Sequence, residues 1–142
     1  MATTSKVYVS IPADGSYESK VYGGSGMMTA QEVAAAFANR GVPVLMGVRP
    51  EDREVALASA RTSGAQYAVI PTITHWEPRA TEWSGRPSRM AVSLSLFDVS
   101  SGTMLSNTAL IGRSRIMSLT RTSPESLLHD PLDGYVARLY AR

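Results

Sequence analysis

Hydrophobic and polar residues alternate most strictly between residues 90 and 97 of this chain. One side of an extended segment there carries Met90, Val92, Leu94 and Leu96, and the other carries Ala91, Ser93, Ser95 and Phe97. Such alternation predicts a strand with one fully buried face. Gly102 follows where a tight connection needs positive φ, so residues 103 to about 117 are predicted to return as an antiparallel strand.

Three further segments carry strand signals. Residues 6–11 are β-branched and aromatic and are closed by Pro12, which predicts a first strand. Residues 42–48 form a short, continuous apolar run of the kind found in buried strands. Residues 66–76 read as a third strand, in which Pro71 implies a bulge or an edge position.

The first helix is predicted after a loop that ends in four small residues, 23–26. Thr29 is followed three positions later by Glu32, which is the capping-box pattern of a helix start. Gly41 suits the left-handed conformation that often ends a helix. The sequence therefore predicts a helix that starts at Thr29 and ends at Gly41.

A second helix and a C-terminal helix are marked by proline and acidic residues at their starts. Residues 50–52 place a proline in a first turn and acids near the positive end of a helix, and Gly64 ends that helix. Residues 123–124 and 130–131 are two further cap-plus-proline starts. They predict a short turn and then a final helix.

The resulting order is β-α-β-α-β-β-β-α, which indicates an α/β (α+β) fold. Right-handed crossovers place the first three strands in one parallel group, and the hairpin extends that group. We expect a five-stranded mixed sheet with helices packed mainly on one face. Residues 6–142 are predicted to form a single globular domain, preceded by a disordered leader at residues 1–5.

Composition is that of a globular protein, with 44% hydrophobic and 18% charged residues and a net charge of +2. The absence of cysteine excludes disulfides, thiolate metal ligands and cysteine nucleophiles within this sequence. No apolar run reaches the ~18–20 residues that a membrane-spanning helix needs. Positive charge concentrates between residues 79 and 121, where Glu82 and Asp98 alone oppose arginines 79, 86, 89, 113, 115 and 121. That excess favours an acidic partner, or else forms a solvated basic face.

Both tryptophans lie on one polar segment, residues 76–89, which contains two prolines and a glycine and is predicted to be a loop. Aromatic and arginine side chains on a surface loop are typical of recognition sites. The alternative is structural, with Trp76 capping the core and Trp83 folded under the loop. We interpret the segment as a candidate recognition loop whose binding residues are Trp76, Arg79, Glu82, Trp83, Arg86 and Arg89.

No catalytic, metal or cofactor site is predicted. Residues 23–26 lack the Gly-Lys-Ser/Thr sequence of a phosphate loop and lie too far beyond a strand. His75 and Glu77 share a strand face, but zinc needs three or four ligands and His129 belongs to a distant turn. Serine-hydrolase signatures are absent. Nucleic-acid binding is disfavoured because Glu77 and Glu82 are interleaved with the arginines of the loop.

Several strings resemble an uncharacterised family of small bacterial envelope lipoproteins, a domain of unknown function. The strings are His-Trp-Glu at 75–77, Ala-Thr-Glu-Trp-Ser-Gly-Arg at 80–86, Phe-Asp-Val-Ser-Ser-Gly at 97–102, Tyr-Gly-Gly-Ser-Gly at 22–26 and Pro-Leu-Asp-Gly-Tyr-Val at 131–136. The resemblance covers residues 6 to 140. More loosely, the element order is similar to a wider envelope group that includes the amino-terminal domain of the Tol system's periplasmic propeller protein. Lipoprotein activators of peptidoglycan synthases and the curli secretion lipoprotein belong to the same group.

This resemblance implies a periplasmic, non-enzymatic, protein-binding domain of an outer-membrane lipoprotein. The lipidated cysteine would lie upstream, because the sequence itself contains none. The expected partner is an envelope protein, docked through residues 76–89 and the open edge of the hairpin. A peptidoglycan-binding module and a homo-oligomeric envelope component remain as alternatives. Contact with the membrane is expected only through the inferred anchor.

Overall fold

The computed structural model describes residues 1–17, 20–21, 23–77, 89–113 and 129–140. The order of its main elements confirms the predicted β-α-β-α-β-β-β-α arrangement. The elements are β1 (Val7–Ile11), β2 (Ser16–Tyr17), β3 (Lys20–Val21), α1 (Ser25–Ala38), β4 (Val44–Pro50), α2 (Arg53–Thr62), β5 (Tyr67–Glu77), β6 (Arg89–Asp98), β7 (Thr103–Arg113) and α3 (His129–Leu139). The short strands β2 and β3 pair with each other inside the segment predicted to be a loop.

The five long strands form one mixed sheet in the order β4-β1-β5-β6-β7, as predicted. β1 lies parallel to both β4 and β5, while β5, β6 and β7 run antiparallel to one another. The first strand of the chain is therefore flanked on both sides, and β4 and β7 form the two edges. Residues 114–117, predicted to continue the last strand, lie outside the described residues.

The core has two layers because successive residues of β1 point to opposite faces of the sheet. One face packs against α1 and α3, and its buried residues include Val7, Val9, Val33, Phe37, Leu94 and Val136. The other face packs against α2, and its buried residues include Tyr8, Ala56, Ala60, Ala68 and Phe97. Two of the three helices thus share one face, and the small alanines of α2 let it approach the other closely.

Strand β6 shows the predicted alternation. Met90, Val92, Leu94 and Leu96 are all buried in the larger core, which confirms the prediction of one fully buried face. On the opposite side Ala91, Ser93 and Ser95 are half-buried. Phe97 is buried on that side under α2, where the Arg53 guanidinium lies 5.1 Å from the centre of its ring.

The predicted start of α1 at a Thr29 and Glu32 capping box is wrong. The helix begins four residues earlier, at Ser25, and Thr29 is fully buried inside it. The N-cap is Gly24, whose φ of 87° places it in the left-handed region and which has no side chain to cap the helix. Gly41, with φ 76°, has the left-handed conformation expected for the helix end.

The cap of α1 comes from a residue distant in sequence. Asp14 Oδ1 accepts a hydrogen bond from the Gly26 amide at 2.9 Å, and Asp14 Oδ2 accepts from the Gly24 amide at 3.3 Å. A Cβ at Gly26 would lie 2.1 Å from the carbonyl oxygen of Pro12. Glycine at this position therefore allows the loop after β1 to lie directly against the start of the helix, where Asp14 satisfies free amides.

The second helix begins later than the predicted proline. Pro50 ends β4, and α2 begins at Arg53 with Asp52 as its N-cap. The Asp52 carboxylate accepts a hydrogen bond from the Val55 amide at 2.9 Å. Asp52 thus marks the start of the helix, and Pro50 does not. Gly64, with φ 80°, follows the end of the helix as predicted.

Pro71 lies in a strand that is central to the sheet, and the irregularity of that strand falls further along, between Ile73 and His75. Of the two positions that Pro71 implied, a bulge or an edge, the bulge is not found at Pro71. The pairing of β1 with β5 runs from Val7 to Val9 and stops at Val69, so at Pro71 the strand pairs only with Leu94 of β6. A proline is tolerated there because the strand is locally an edge.

Within the described ranges, no helix is long and apolar enough to cross a bilayer. Residues 1–5, predicted to be a disordered leader, include a turn in which the Ser5 amide donates to the Ala2 carbonyl oxygen at 3.1 Å. The backbone nitrogen of Met1 donates to the carbonyl oxygen of Leu139 at 2.9 Å. This contact joins the first residue to the end of α3.

Candidate functional site

The candidate recognition loop joins β5 to β6. Trp76 lies in the last part of β5 opposite Met90, and Arg89 begins β6 opposite Glu77. Pairing thus brings the two ends of the loop together. The four remaining candidate residues, Arg79, Glu82, Trp83 and Arg86, lie outside the described residues. Their role in binding stays a prediction.

The outer edge of β7 is a second candidate. This strand spans 11 residues, and among the described strands it pairs with β6 alone. Large apolar side chains are exposed along it: Ile111 is 64% exposed, Leu105 50% and Met104 40%. An edge strand with free backbone N–H and C=O groups accepts a further strand.

The sequence of β7 lacks the features with which proteins usually protect an edge. Residues 103–112 contain no charged residue and no proline, and Arg113 is the first charge. Protective edges carry charges, prolines or bulges, and of these features residues 103–112 have only a register irregularity near Leu105. The opposite edge, β4, is shorter and carries Arg49 and Pro50. The unprotected edge is therefore that of β7.

Polar side chains hold β7 firmly against β6 on the α2 side of the sheet. Ser93 Oγ donates to Asn107 Oδ1 at 3.1 Å, and Asn107 Nδ2 donates to Ser95 Oγ at 2.8 Å. On the other side Leu110 is buried in the larger core. The edge is thus an ordered platform, which lowers the entropic cost of adding a strand to it.

The turn before β7 is fixed by its own hydrogen bonds. Asp98 Oδ1 accepts from the hydroxyl of Ser100 at 2.7 Å and from the amide of Ser100 at 3.0 Å. The Ser100 hydroxyl and the nearby amides lower the pKa of Asp98. Gly102 completes the turn with φ 71°, which confirms the predicted positive φ. The start of β7 is therefore as well defined as its middle.

A polar cluster that sequence reasoning missed lies beneath α2. The Tyr8 hydroxyl donates to Glu51 Oε1, and Ser59 Oγ donates to Glu51 Oε2 at 2.5 Å. Burial and the hydrogen bond to Glu51 raise the pKa of Tyr8 to about 12. A Cβ at Gly47 would lie 2.9 Å from both partners, so glycine leaves room for the pair. The phenol stays protonated near neutrality and donates to Glu51, so the cluster ties the residues beside the start of α2 to the sheet.

A cleft of 360 Å³ lies beyond the carboxyl ends of β1 and β4, where ligands often bind in parallel sheets. Three carboxylates line it, but each already serves the fold. Asp14 caps α1, Asp52 caps α2, and Glu51 accepts from Tyr8 and Ser59. Within the described part of the chain, no group of three or more His, Asp or Glu side chains is arranged to hold a metal ion.

Comparison with solved structures identifies the fold. The PelC dodecamer of Paraburkholderia phytofirmans superposes with a TM-score of 0.78 at 19% identity, over 100% of this chain and 91% of PelC. Lipoprotein GNA1162 of Neisseria meningitidis gives 0.59 at 13% identity, over 95% and 96% of the two chains. TolB of Acinetobacter baumannii gives 0.51 at 14% identity, over 96% of this chain and 27% of TolB.

These similarities confirm, at the level of the fold, the predicted relation to the wider envelope group. No curated protein matches the sequence. The profile of one family, the domain of unknown function DUF4823, matches residues 1–139. The chain therefore belongs to the DUF4823 family.

Proposed function

We propose that this chain is a non-enzymatic protein-binding or assembly domain of a bacterial outer-membrane lipoprotein, and that it faces the periplasm. The observation that carries the proposal is the uncharged outer edge of β7, with Leu105 and Ile111 exposed along it. The mode of action is strand addition, in which the partner contributes an extended segment to the sheet. Backbone hydrogen bonds then supply affinity, and alternate side chains supply specificity.

The loop of residues 76–89 is proposed as a second contact at one end of this edge. Arg89, at the end of the loop, pairs with Arg113 at the end of β7. A strand added along β7 would therefore extend towards the end of the sheet at which the loop begins and ends. Indole and guanidinium groups are frequent binding hot spots. The loop therefore supplies selectivity, because backbone hydrogen bonds along β7 do not depend on the sequence of the partner.

The proposed location is supported by one protein that shares the fold. GNA1162, whose fold is similar, is a lipoprotein. This sequence has no cysteine, so the lipid-bearing residue of the proposal would lie outside it. Recovery of the native protein in outer-membrane fractions, labelled by a radioactive fatty acid, would support this assignment, and recovery as an unlabelled protein would contradict it.

The docking proposal is tested by capture of crosslinked partners from the native envelope. Ile111→Lys places a charge on the β7 edge, and we expect it to lose partners that the wild type retains. Val48→Lys is the matched control, because Val48 is 86% exposed on the opposite edge. Trp83→Ala in the same experiment tests the loop. Capture of the same proteins by the wild type and by Ile111→Lys would exclude docking at β7.

Self-association is a second candidate function. One observation favours it: the PelC structure, which shares the fold over the whole of this chain, is a dodecamer. A homo-oligomer needs surfaces on one copy that fit another copy. Sedimentation velocity over a hundredfold range of protein concentration separates a monomeric adaptor from a self-assembling component.

A further inference from the structure

The partner that fits the β7 edge is constrained by what that edge lacks. Residues 103–112 offer no charge for an ion pair, and their exposed large side chains are apolar. A matching strand must therefore be extended, uncharged and apolar at the same spacing. Among the described strands of this chain, the other edge strand, β4, carries Arg49 and Pro50, whereas residues 103–112 of β7 carry neither charge nor proline.

The edge is also complementary to itself in one register. When two β7 strands run antiparallel with Thr108 opposite Thr108, Ile111 of each copy faces Leu105 of the other. Ala109 then faces Asn107. Opposite residues of an antiparallel pair point to the same face, so the exposed Ile111 and Leu105 side chains meet twice, once on each side of the axis.

Other registers lose this match. A slip of one residue places side chains of opposite faces against each other. Moving the axis to Asn107 puts Ile111 opposite Thr103, and moving it to Ala109 puts Leu105 opposite Arg113. The register centred on Thr108 instead pairs Arg113 with Thr103. The two arginine positions then lie at opposite ends of the paired strands, roughly 34 Å apart at about 3.4 Å per residue.

We propose that a second copy of this chain docks on β7, with the two strands antiparallel about a twofold axis at Thr108. The proposal rests on the proposed docking function of the β7 edge and names its partner. Pairing joins the two five-stranded sheets into one continuous sheet. It also covers the exposed apolar side chains of β7 in both copies, which is the usual way in which an unprotected edge is satisfied.

The chain's lack of cysteine allows a direct test, because one introduced thiol reports one position. In Thr108→Cys the two sulfur-bearing residues lie opposite each other, with Cα atoms about 4.5–5.5 Å apart. That separation falls within the roughly 4.4–6.8 Å range of disulfides. We expect mild oxidation to convert most of Thr108→Cys into a covalent dimer that thiol reagents reverse.

Thr103→Cys is the matched control on the same strand. Thr103 is exposed, but in the proposed register its two copies lie at opposite ends of the paired strands, so we expect it to stay monomeric. Circular dichroism of the reduced variants checks that both remain folded. Equal yields of dimer from the two variants would overturn the register. Disulfides between Thr108→Cys and Val48→Cys when the two proteins are mixed would overturn it in favour of head-to-tail assembly.

Sedimentation measures the same contact without a disulfide. Ile111→Lys brings a charge into both Ile111–Leu105 contacts, and we expect the dissociation constant of the dimer to rise on the order of tenfold or more. If the wild type is monomeric and Thr108→Cys does not crosslink, self-pairing is overturned. Loss of envelope partners by Ile111→Lys would still support docking at β7 in that case, so the two proposals fail separately.

Discussion

Single atoms decide the local structure where the loop after β1 meets α1. Gly26 lies so close to the Pro12 carbonyl oxygen that a methyl group at that position overlaps backbone, which cannot move as a side chain does. The same residue donates its amide to Asp14. One glycine therefore serves both the close approach of two chain segments and the cap of a helix.

We expect Gly26→Ala to lower the free energy of unfolding by about 3 kcal/mol, because the loop or the helix start must shift to admit the methyl group. Urea denaturation measures the change. Gly23→Ala is the control, since a Cβ there meets no atom within 4 Å, and its effect should stay within about 0.5 kcal/mol. Equal stability of the two variants would show that the segment adapts.

The Tyr8 phenol predicts how stability changes in alkali. Its pKa rises from 10.0 to about 12 on folding, so the folded chain keeps a proton that the unfolded chain releases. The protonated Tyr8 phenol contributes fully to the free energy of unfolding below pH 10. This contribution is lost as the pH rises through 12, with a slope of up to about 1.4 kcal/mol per pH unit. Urea denaturation between pH 9 and 12 should show a shallower decline for Tyr8→Phe than for the wild type. Identical declines would assign the alkaline loss to other groups.

The starts of α1 and α2 each depend on one carboxylate, and the two carboxylates differ in how far they lie from their helix in sequence. Asp52 caps α2 from the adjacent position, so its role is readable from the sequence. Asp14 caps α1 across the intervening β2–β3 segment. Local patterns such as Thr29 with Glu32 then mislead, because tertiary contact has already satisfied the helix start further upstream.

We expect Asp52→Ala to cost about 1 kcal/mol, because the Val55 amide loses its acceptor. In a chain of this size that corresponds to a fall of roughly 2–4 °C in the melting temperature. Asp52→Asn keeps an acceptor at the same position and should restore most of the loss in a calorimetric scan. If alanine and asparagine behave alike, the charge of Asp52 matters more than its hydrogen bond.

The elements that the sequence predicted well are those whose signals are local. Alternation along β6 follows from one buried face, and the end of α1 follows from Gly41. The β2–β3 pair was not predicted because two residues carry no periodicity. The position of Pro71 depended on where β1 stops pairing, which is a property of a neighbouring strand and not of the segment itself.

At the scale of the whole molecule, helices cover the faces of the sheet, and among the described residues no strand pairs with the outer side of β7. The sequence predicted a docking edge at the hairpin and a recognition loop at residues 76–89. It did not show which strands lie at the edges of the sheet and which lie inside it. The edge strands depend on the position of β1 between β4 and β5, which is set by pairing between strands that are distant in sequence. Strand register then places the base of the loop at the Arg113 end of β7, so the two candidate contacts belong to one side of the molecule.

The central position of β1 has a consequence for the order of folding. The strands β5, β6 and β7 follow one another in sequence and are neighbours in the sheet, so they can pair early. The partners of β1, in contrast, follow it much further along the chain. During synthesis from the N-terminus, the apolar residues of Val7–Ile11 can pair with Val44–Pro50 on one side, but their second neighbour exists only when Tyr67–Glu77 has been made. The first strand to be synthesised is thus among the last to be flanked on both sides, and a chain interrupted before β5 lacks the strand that joins β1 to β6 and β7.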